Sequence, residues 1–365
     1  MLYIGLDVHQ KSTTICIQDA DGTELVITDC PTDEAGFRDA LGVTLKENPG
    51  TLVGMESCAK AYVVSGIIEW LEGIPLVIAA DEVASKTRSK KKKNDRRDAR
   101  DLCTNLRTGA LQRIVQLPPP AMRHLRSLLQ TRNLLDKQQV QVRNAAKAVL
   151  REYGLAYATG PLFSASHWAK RLDQEMPEVV RLILEIHRDH TLWLRAKIDA
   201  LSAEIVELAA TNEAFAVVET IPGIGPITRA ALAAYLFDIE RFDGPKKVSA
   251  YVGLCPSSYD SGERRQGGRI TREGPSILRG LLTEAAQQTA RLYHPLNPYY
   301  RKFARKHGHK KAIVAMANKL CRIVYALVKN QEAFDPAQLG VERAEGGTMW
   351  FFKDAPKGPW RRVPA

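Results

Sequence analysis

The chain has 365 residues, 45% of them hydrophobic, which is enough for more than one core, so two domains with a connecting region are expected. Its 52 Lys and Arg outnumber 41 Asp and Glu for a formal charge of +11, which favours a polyanionic partner without separating DNA from RNA. No uninterrupted apolar stretch could span a bilayer and the first residues lack signal-peptide regions, so membrane and secreted classes are excluded and a cytoplasmic location is expected.

Leu2, Ile4 and Leu6 alternate with Tyr3, Gly5 and Asp7, strand-like runs follow over 13–18 and 24–28, and Asp19 to Gly22 is turn-forming, so an antiparallel meander is predicted. A helix over 34–47, a strand over 51–55, a helix over 61–72 and a strand over 75–79 complete a βββαβαβ order, which implies an α/β sheet with covering helices. Past Pro118-Pro119-Pro120, Leu128, Leu135, Val142 and Val149 recur every seven residues. Leu194, Ile198, Leu201, Ile205 and Leu208 alternate steps of four and three. Both stretches read as long helices with coiled-coil seams, serving as a helical arm, a subunit interface or part of a plain bundle. From Ile221 to about Asn330 the pattern is mainly helical. The tail mixes Trp350, Phe351, Phe352 and Trp360 with Lys353, Lys357, Arg361 and Arg362, suited either to stacking on nucleic acid or to docking on the protein itself. Six scattered cysteines without a CxxC pair suggest neither zinc nor disulfides and read as reduced packing residues.

Asp7 ends the first predicted strand, Glu56 the fourth, and Asp95 and Asp98 open a helix after the fifth, three residues apart on one face. Four carboxylates meeting at one sheet edge repel one another, and hard divalent cations relieve that repulsion. All-oxygen ligands favour Mg²⁺ or Mn²⁺, and a two-metal site suits phosphoryl transfer on nucleic-acid phosphodiesters. Lys90, Lys91, Lys92 and Lys93 lie just before Asp95, placed to hold a phosphate backbone or to be a solvated basic loop. Any one of these acids could be an ordinary surface or capping residue, Asp95 of the helix near Arg96 for instance. Taken together, in this chain order, they resemble the DEDD set of RuvC-like domains in the ribonuclease H-like superfamily.

Ile221-Pro222-Gly223-Ile224-Gly225 precedes a helix-forming stretch and resembles the turn of helix-hairpin-helix motifs. There Gly223 and Gly225 would let backbone N–H groups approach a phosphate, although a plain interhelical turn accepts the same residues. Ser261 follows in a loop rich in Gly and in Arg264, Arg265, Arg269 and Arg272. That is an accessible hydroxyl near guanidinium groups able to neutralise a phosphorane, but turn residues alone also explain it.

The segments Tyr3-Ile4-Gly5-Leu6-Asp7, Gly54-Met55-Glu56-Ser57, Asn94 to Arg100, Ile221 to Gly225, and Gly253-Leu254 through Ser261-Gly262 to Leu278-Arg279 closely resemble the IS-one-ten (IS110) insertion-sequence family. That family includes DEDD transposases, site-specific DNA invertases and bridge-RNA-guided recombinases. The resemblance implies a RuvC-like DEDD domain over 1–115, a coiled-coil region over 116–216, a mainly α transposase domain over 217–335 and a tail over 336–365. It implies metal-binding roles for Asp7, Glu56, Asp95 and Asp98, a nucleophilic Ser261, donor and target DNA, a noncoding bridge RNA, and a homodimer or tetramer. The rival readings are a RuvC-like nuclease or junction resolvase using water, an actin-like or sugar-kinase ATPase, for which no repeated phosphate-binding hairpin is found, and a nonenzymatic helix-hairpin-helix protein.

Overall fold

The computed structural model describes residues 1–86, 94–156, 160–261, 264–344 and 347–353. The chain forms two compact units, Met1–Leu117 and Pro118–Ala365.

In the first unit β1 (Tyr3–Val8), β2 (Ser12–Gln18) and β3 (Glu24–Pro31) form the predicted meander, followed by α1 (Glu34–Glu47), β4 (Leu52–Glu56), α2 (Ala61–Trp70), β5 (Ile74–Ile78), the short α3 (Ala80–Lys86) and α4 (Asp95–Arg107). The sheet order is β3-β2-β1-β4-β5, with β1 antiparallel to β2 and parallel to β4. Ile4, Leu6, Val53 and Met55 are fully buried with Phe37, Leu41, Leu45 and Ile68 of α1 and α2, so the alternation read in the sequence marks the core side of the central strands. The other face carries α4, whose Ala99 and Cys103 are buried beside Cys16.

In the second unit α5 (Pro120–Glu152) and α7 (Glu178–Ala210) pack along each other, with α6 (Ala165–Leu172) between them in sequence. The sevenfold repeat is present, but the fully buried line of α5 is Met122, Leu125, Leu129, Gln139, Ala146 and Leu150. Leu128, Leu135, Val142 and Val149 are only half-buried beside it. The sequence reading missed this phase because the seam contains a polar residue: Gln139 is buried and its Nε2 donates to the Thr191 carbonyl at 3.4 Å. On α7, Leu194, Ile198 and Ile205 are buried as expected, whereas Leu201 and Leu208 are half-buried. These seams are closed within the chain.

The remainder is α8 (Pro226–Leu236), α9 (Pro245–Tyr251), β6 (Pro256–Ser261), β7 (Arg264–Ile270), α10 (Ser276–Gln287), α11 (Asn297–His307), α12 (His309–Asn330), β8 (Val341–Arg343) and β9 (Trp350–Phe352). Its core joins α8, α10 and the long α12, including Ala231, Leu232, Leu282, Leu320 and Val324. The mainly helical region expected over 221–330 is present with one antiparallel hairpin inside it, β6–β7, and a second hairpin, β8–β9, forms in the tail. The tail aromatics Trp350 and Phe352 dock on α11 and the turn before it: the Phe352 ring lies edge-on to Tyr299 at 4.8 Å, and Trp350 Nε1 donates to the Tyr293 carbonyl at 3.0 Å. Lys357, Trp360, Arg361 and Arg362 lie outside the described residues. The packing role expected of the cysteines fails at Cys58, which is exposed, and holds only partly at Cys255. No helix among the described residues is long and apolar enough to cross a membrane.

Candidate active site

Asp7 lies near the end of β1 and Glu56 closes β4. Because the parallel register pairs Leu6 with Met55, the two acids fall at neighbouring strand ends. Asp95 reaches the same edge from α4. The helix begins there because Asn94, in extended conformation, accepts the Arg96 N–H on Oδ1 at 3.1 Å, so Asn94 and not Asp95 is the cap.

Gly5 sets how closely α4 can lie on β1. A Cβ at that position would stand 2.3 Å from the Ala99 carbonyl oxygen and 2.5 Å from the Cys103 nitrogen, distances that no side chain tolerates. The contact is reinforced by Cys103 Sγ on the Tyr3 carbonyl at 3.1 Å and by Gln18 Nε2 donating to Thr104 Oγ1 at 3.0 Å. Arg100 forks onto Glu24 of β3, Nε to Oε2 at 2.5 Å and Nη2 to Oε1 at 3.2 Å, which holds the Glu24 carboxyl below its ordinary pKa. Arg96 lies 3.7 Å from Asp29. The arginines around Asp95 and Asp98 therefore tie the helix to the meander, an orienting role more than an energetic one at such exposure.

The sequence reading missed His9. Its Nε2 lies 3.2 Å from Asp7 Oδ2 and 3.5 Å from Asp95 Oδ1, and ligand atoms of the three residues all fall within 4.8 Å of one another. Strand alternation gave no signal for it, since β1 ends at Val8 and His9 stands in the turn beyond. The backbone is fixed there by His9 N–H donating to the Ser12 carbonyl at 3.0 Å. Asp98 sits three residues after Asp95 on α4 and Glu56 is exposed; among the described residues neither joins the close cluster. Two carboxylates this near one another need a positive group between them, and a divalent cation meets that need. The donors, two carboxylates and one imidazole, fit Mn²⁺ as well as Mg²⁺. Lys90, Lys91, Lys92 and Lys93 lie outside the described residues.

In the second unit Ser261 and Arg264 are paired at the tip of β6–β7, so the Gly- and Arg-rich segment read as a loop is a two-stranded hairpin. Its base is locked. Gly253 and Gly274, at φ of 72° and 71°, face each other's segments so closely that a Cβ would meet the Glu273 carbonyl oxygen at 2.2 Å or the Tyr251 carbonyl oxygen at 1.9 Å. Ser257 Oγ donates to the Arg269 carbonyl at 2.8 Å, and Arg279 Nη1 donates to the carbonyls of Val252 and Glu273, each at 3.0 Å. Arg279 thus clamps the hairpin base to α10, a positioning role the sequence reading did not assign. Arg269 and Arg272 are exposed on this segment; Arg264 and Arg265 are placed here by backbone register.

Gly223 and Gly225 lie in the turn before α8. Gly223 is packed against α10, where a Cβ would meet Gln288 at 3.0 Å, while Gly225, the residue preceding the helix, has open space. The buried His294 holds the turn: Nε2 bonds the Pro222 carbonyl at 2.9 Å and Nδ1 accepts the Leu296 N–H at 3.0 Å. That arrangement needs a neutral ring, and burial lowers its pKa.

Residues 4–155 match the DEDD-type IS110 transposase domain, described as Transposase, and residues 216–301 match the Transposase IS116/IS110/IS902 family. The chain is 30% identical over 279 residues, 72% of its length and 73% of the relative's, to the transposase for insertion sequence element IS1111A of Coxiella burnetii. It is 27% identical to the transposase for insertion sequence element IS1328 of Yersinia enterocolitica, covering 91% of this chain and 98% of that one. A 127-residue stretch, 34% of this chain and 39% of the other, is 29% identical to the pilin gene-inverting protein of Moraxella bovis. Two family domains in this order, with relatives spanning most of the chain, establish that the protein belongs to the IS116/IS110/IS902 family of insertion-sequence transposases and is a DNA transposase.

Proposed function

We propose that the protein breaks and rejoins DNA through a covalent bond between Ser261 and a DNA phosphate, with Asp7, Glu56, Asp95 and Asp98 holding Mg²⁺ or Mn²⁺. The observation that carries the reading is the convergence of Asp7, His9 and Asp95 at one sheet edge, with Glu56 at the adjacent strand end. The strand order β3-β2-β1-β4-β5 supports assigning Met1–Leu117 to the ribonuclease H-like, RuvC-like class. When bound there, a divalent metal supplies Lewis-acid stabilisation of charge on phosphate oxygens.

The chain's own residues do the rest. The acids hold the cation, and His9, between Asp7 and Asp95, adds a nitrogen ligand to it. Ser261 Oγ loses its proton and forms a bond to phosphorus as the bond to the leaving DNA oxygen breaks, and that oxygen takes up a proton. Arg264, Arg265, Arg269 and Arg272 balance phosphate charge around the hairpin. One phosphoester bond replaces another, so a second DNA end can reverse the step without ATP. The Gly225 end of α8 is open to a backbone phosphate.

By resemblance to the family, a noncoding bridge RNA would choose donor and target DNA by base pairing, and the chain would act as a homodimer or tetramer. An apolar stripe on α7, Val179, Leu182, Ile186 and Trp193, is exposed and offers the subunit contact that the internally closed seams do not. The test is cleavage of DNA carrying the element's ends by the full-length protein. Cleavage should require Mg²⁺ or Mn²⁺ and vanish in Asp95→Ala/Asp98→Ala. Full activity in EDTA would refute the metal site, and recombination by Ser261→Ala at the normal rate would leave water as the nucleophile.

A further inference from the structure

The longest acid-free stretch near the C-terminus lies between Glu284 and Glu332, and its cations are concentrated where α11 meets α12. Arg301, Lys302, Arg305 and Lys306 lie on α11, and Lys310 and Lys311 in the first turn of α12, with Gly308 at φ 79° as the only residue between the helices. All but the half-buried Arg301 are exposed. Arg301 Nη2 donates to the Trp350 carbonyl at 3.2 Å, and Lys302 Nζ lies 5.8 Å from the Phe352 ring, so these two help seat the β8–β9 hairpin. Among the described residues no carboxylate lies within salt-bridge distance of Arg305, Lys306, Lys310 or Lys311.

This arrangement runs against the ordinary rule for helix ends. The N-terminus of α12 has no side-chain cap and no acid in its first turn, yet His309, Lys310 and Lys311 stand there against the positive end of the helix dipole. The basic end of α11, with Arg305, Lys306 and His307, adjoins it. Arg305 and Lys306 meet the negative end of α11, but the charge at the start of α12 is not compensated, and a polyanion covering the corner would offset it. We infer that the α11–α12 corner is a DNA-backbone contact, distinct from the hairpin segment around Ser261, with Arg305, Lys306, Lys310 and Lys311 each facing a phosphate of duplex DNA. The inference rests on the chain acting on DNA. It extends beyond the residues, 216–301, that match the C-terminal family domain.

The experiment measures binding of the full-length protein to a labelled duplex of about 40 base pairs, from about 50 to 200 mM salt, by fluorescence anisotropy. Each phosphate contact contributes about 0.9 to the slope of log affinity against log salt, so the quadruple variant Arg305→Gln/Lys306→Gln/Lys310→Gln/Lys311→Gln should lose about 3.6 in slope and at least about tenfold in affinity. Circular dichroism and thermal unfolding establish that the variant is folded, and the paired change Lys310→Gln/Lys311→Gln, at the exposed helix start, should give about half the slope loss. An unchanged slope in a folded variant that binds overturns the corner alone. A wild-type protein that does not bind the duplex overturns the DNA reading with it. A parallel titration with an RNA hairpin completes the set: a loss seen there and absent on the duplex overturns the assignment to DNA.

Discussion

The acid edge of the first unit and the serine hairpin of the second are positioned by opposite means. Asp7 and Glu56 end two central, hydrogen-bonded strands and Asp95 opens a helix laid on them through Gly5, so their placement follows from regular elements packed on a buried core. Ser261 sits at the tip of a two-stranded hairpin whose order comes from its base, through Gly253, Gly274 and Arg279. The first arrangement suits a charge cluster that must hold distances between carboxylates. The second would suit the nucleophile proposed for Ser261, which would have to meet a separately bound DNA strand, since a hairpin fixed at its base can carry its tip without disturbing the core.

The largest effect should come from the acids themselves. Asp7→Asn and Asp95→Asn each remove a charge at nearly constant volume and should lower DNA cleavage by at least about 100-fold while leaving the unfolding transition in place. Cleavage within a fewfold of wild type would show that the first unit is a scaffold only. Next come the glycines. Gly5→Ala should cost about 2–3 kcal/mol by lifting α4 from β1, and Gly274→Ala a similar amount with added strain at positive φ. Urea unfolding should find both, and in a partially destabilised Gly274→Ala protein cleavage should fall with metal binding intact. If both variants are as stable as wild type, the close approaches do not position either site.

His9→Ala should weaken Mn²⁺ binding about tenfold by calorimetry and weaken Mg²⁺ binding less, because imidazole nitrogen favours the softer ion. Equal losses for the two ions would make His9 a spacer between carboxylates and not a ligand. The smallest effect concerns His294. Burial lowers its pKa in the folded state below the ordinary 6.5, so the unfolded chain binds the extra proton more readily. Stability from this group is complete above about pH 6.5 and declines as pH falls below it. Melting temperatures between about pH 7 and 5 should fall less steeply in His294→Gln than in wild type; parallel curves would contradict the neutral-ring bridge to Pro222.

Much of the first unit was legible because its strands alternate or run apolar between turn residues, and the helix over 34–47 coincides with α1. The acids could be read because they sit at the ends of such elements. His9 was not, because it lies past the strand in a turn, where the face it shares with Asp7 is set by the His9–Ser12 hydrogen bond. The phase of the α5 seam was hidden by Gln139, a polar residue that pattern reading places outside. The serine hairpin was hidden for a different reason: Arg and Gly along β7 lack strand propensity, so pairing and the glycine contacts at its base make the strand. A signal did exist in the sequence, since a glycine-first pair such as Gly262-Glu263 is a pattern common to two-residue hairpin connections. The docking of Trp350 and Phe352 depends on surfaces of α11 that composition does not reveal.

The central claim is that Ser261 becomes joined to DNA. Full-length protein incubated with a suicide substrate carrying the element's end and Mn²⁺, then denatured and digested, should yield a DNA-linked peptide containing Ser261 by mass spectrometry. That adduct should be absent in Ser261→Ala and in Asp95→Ala/Asp98→Ala. DNA cleavage without any adduct, or an adduct that maps to another residue, would contradict the account.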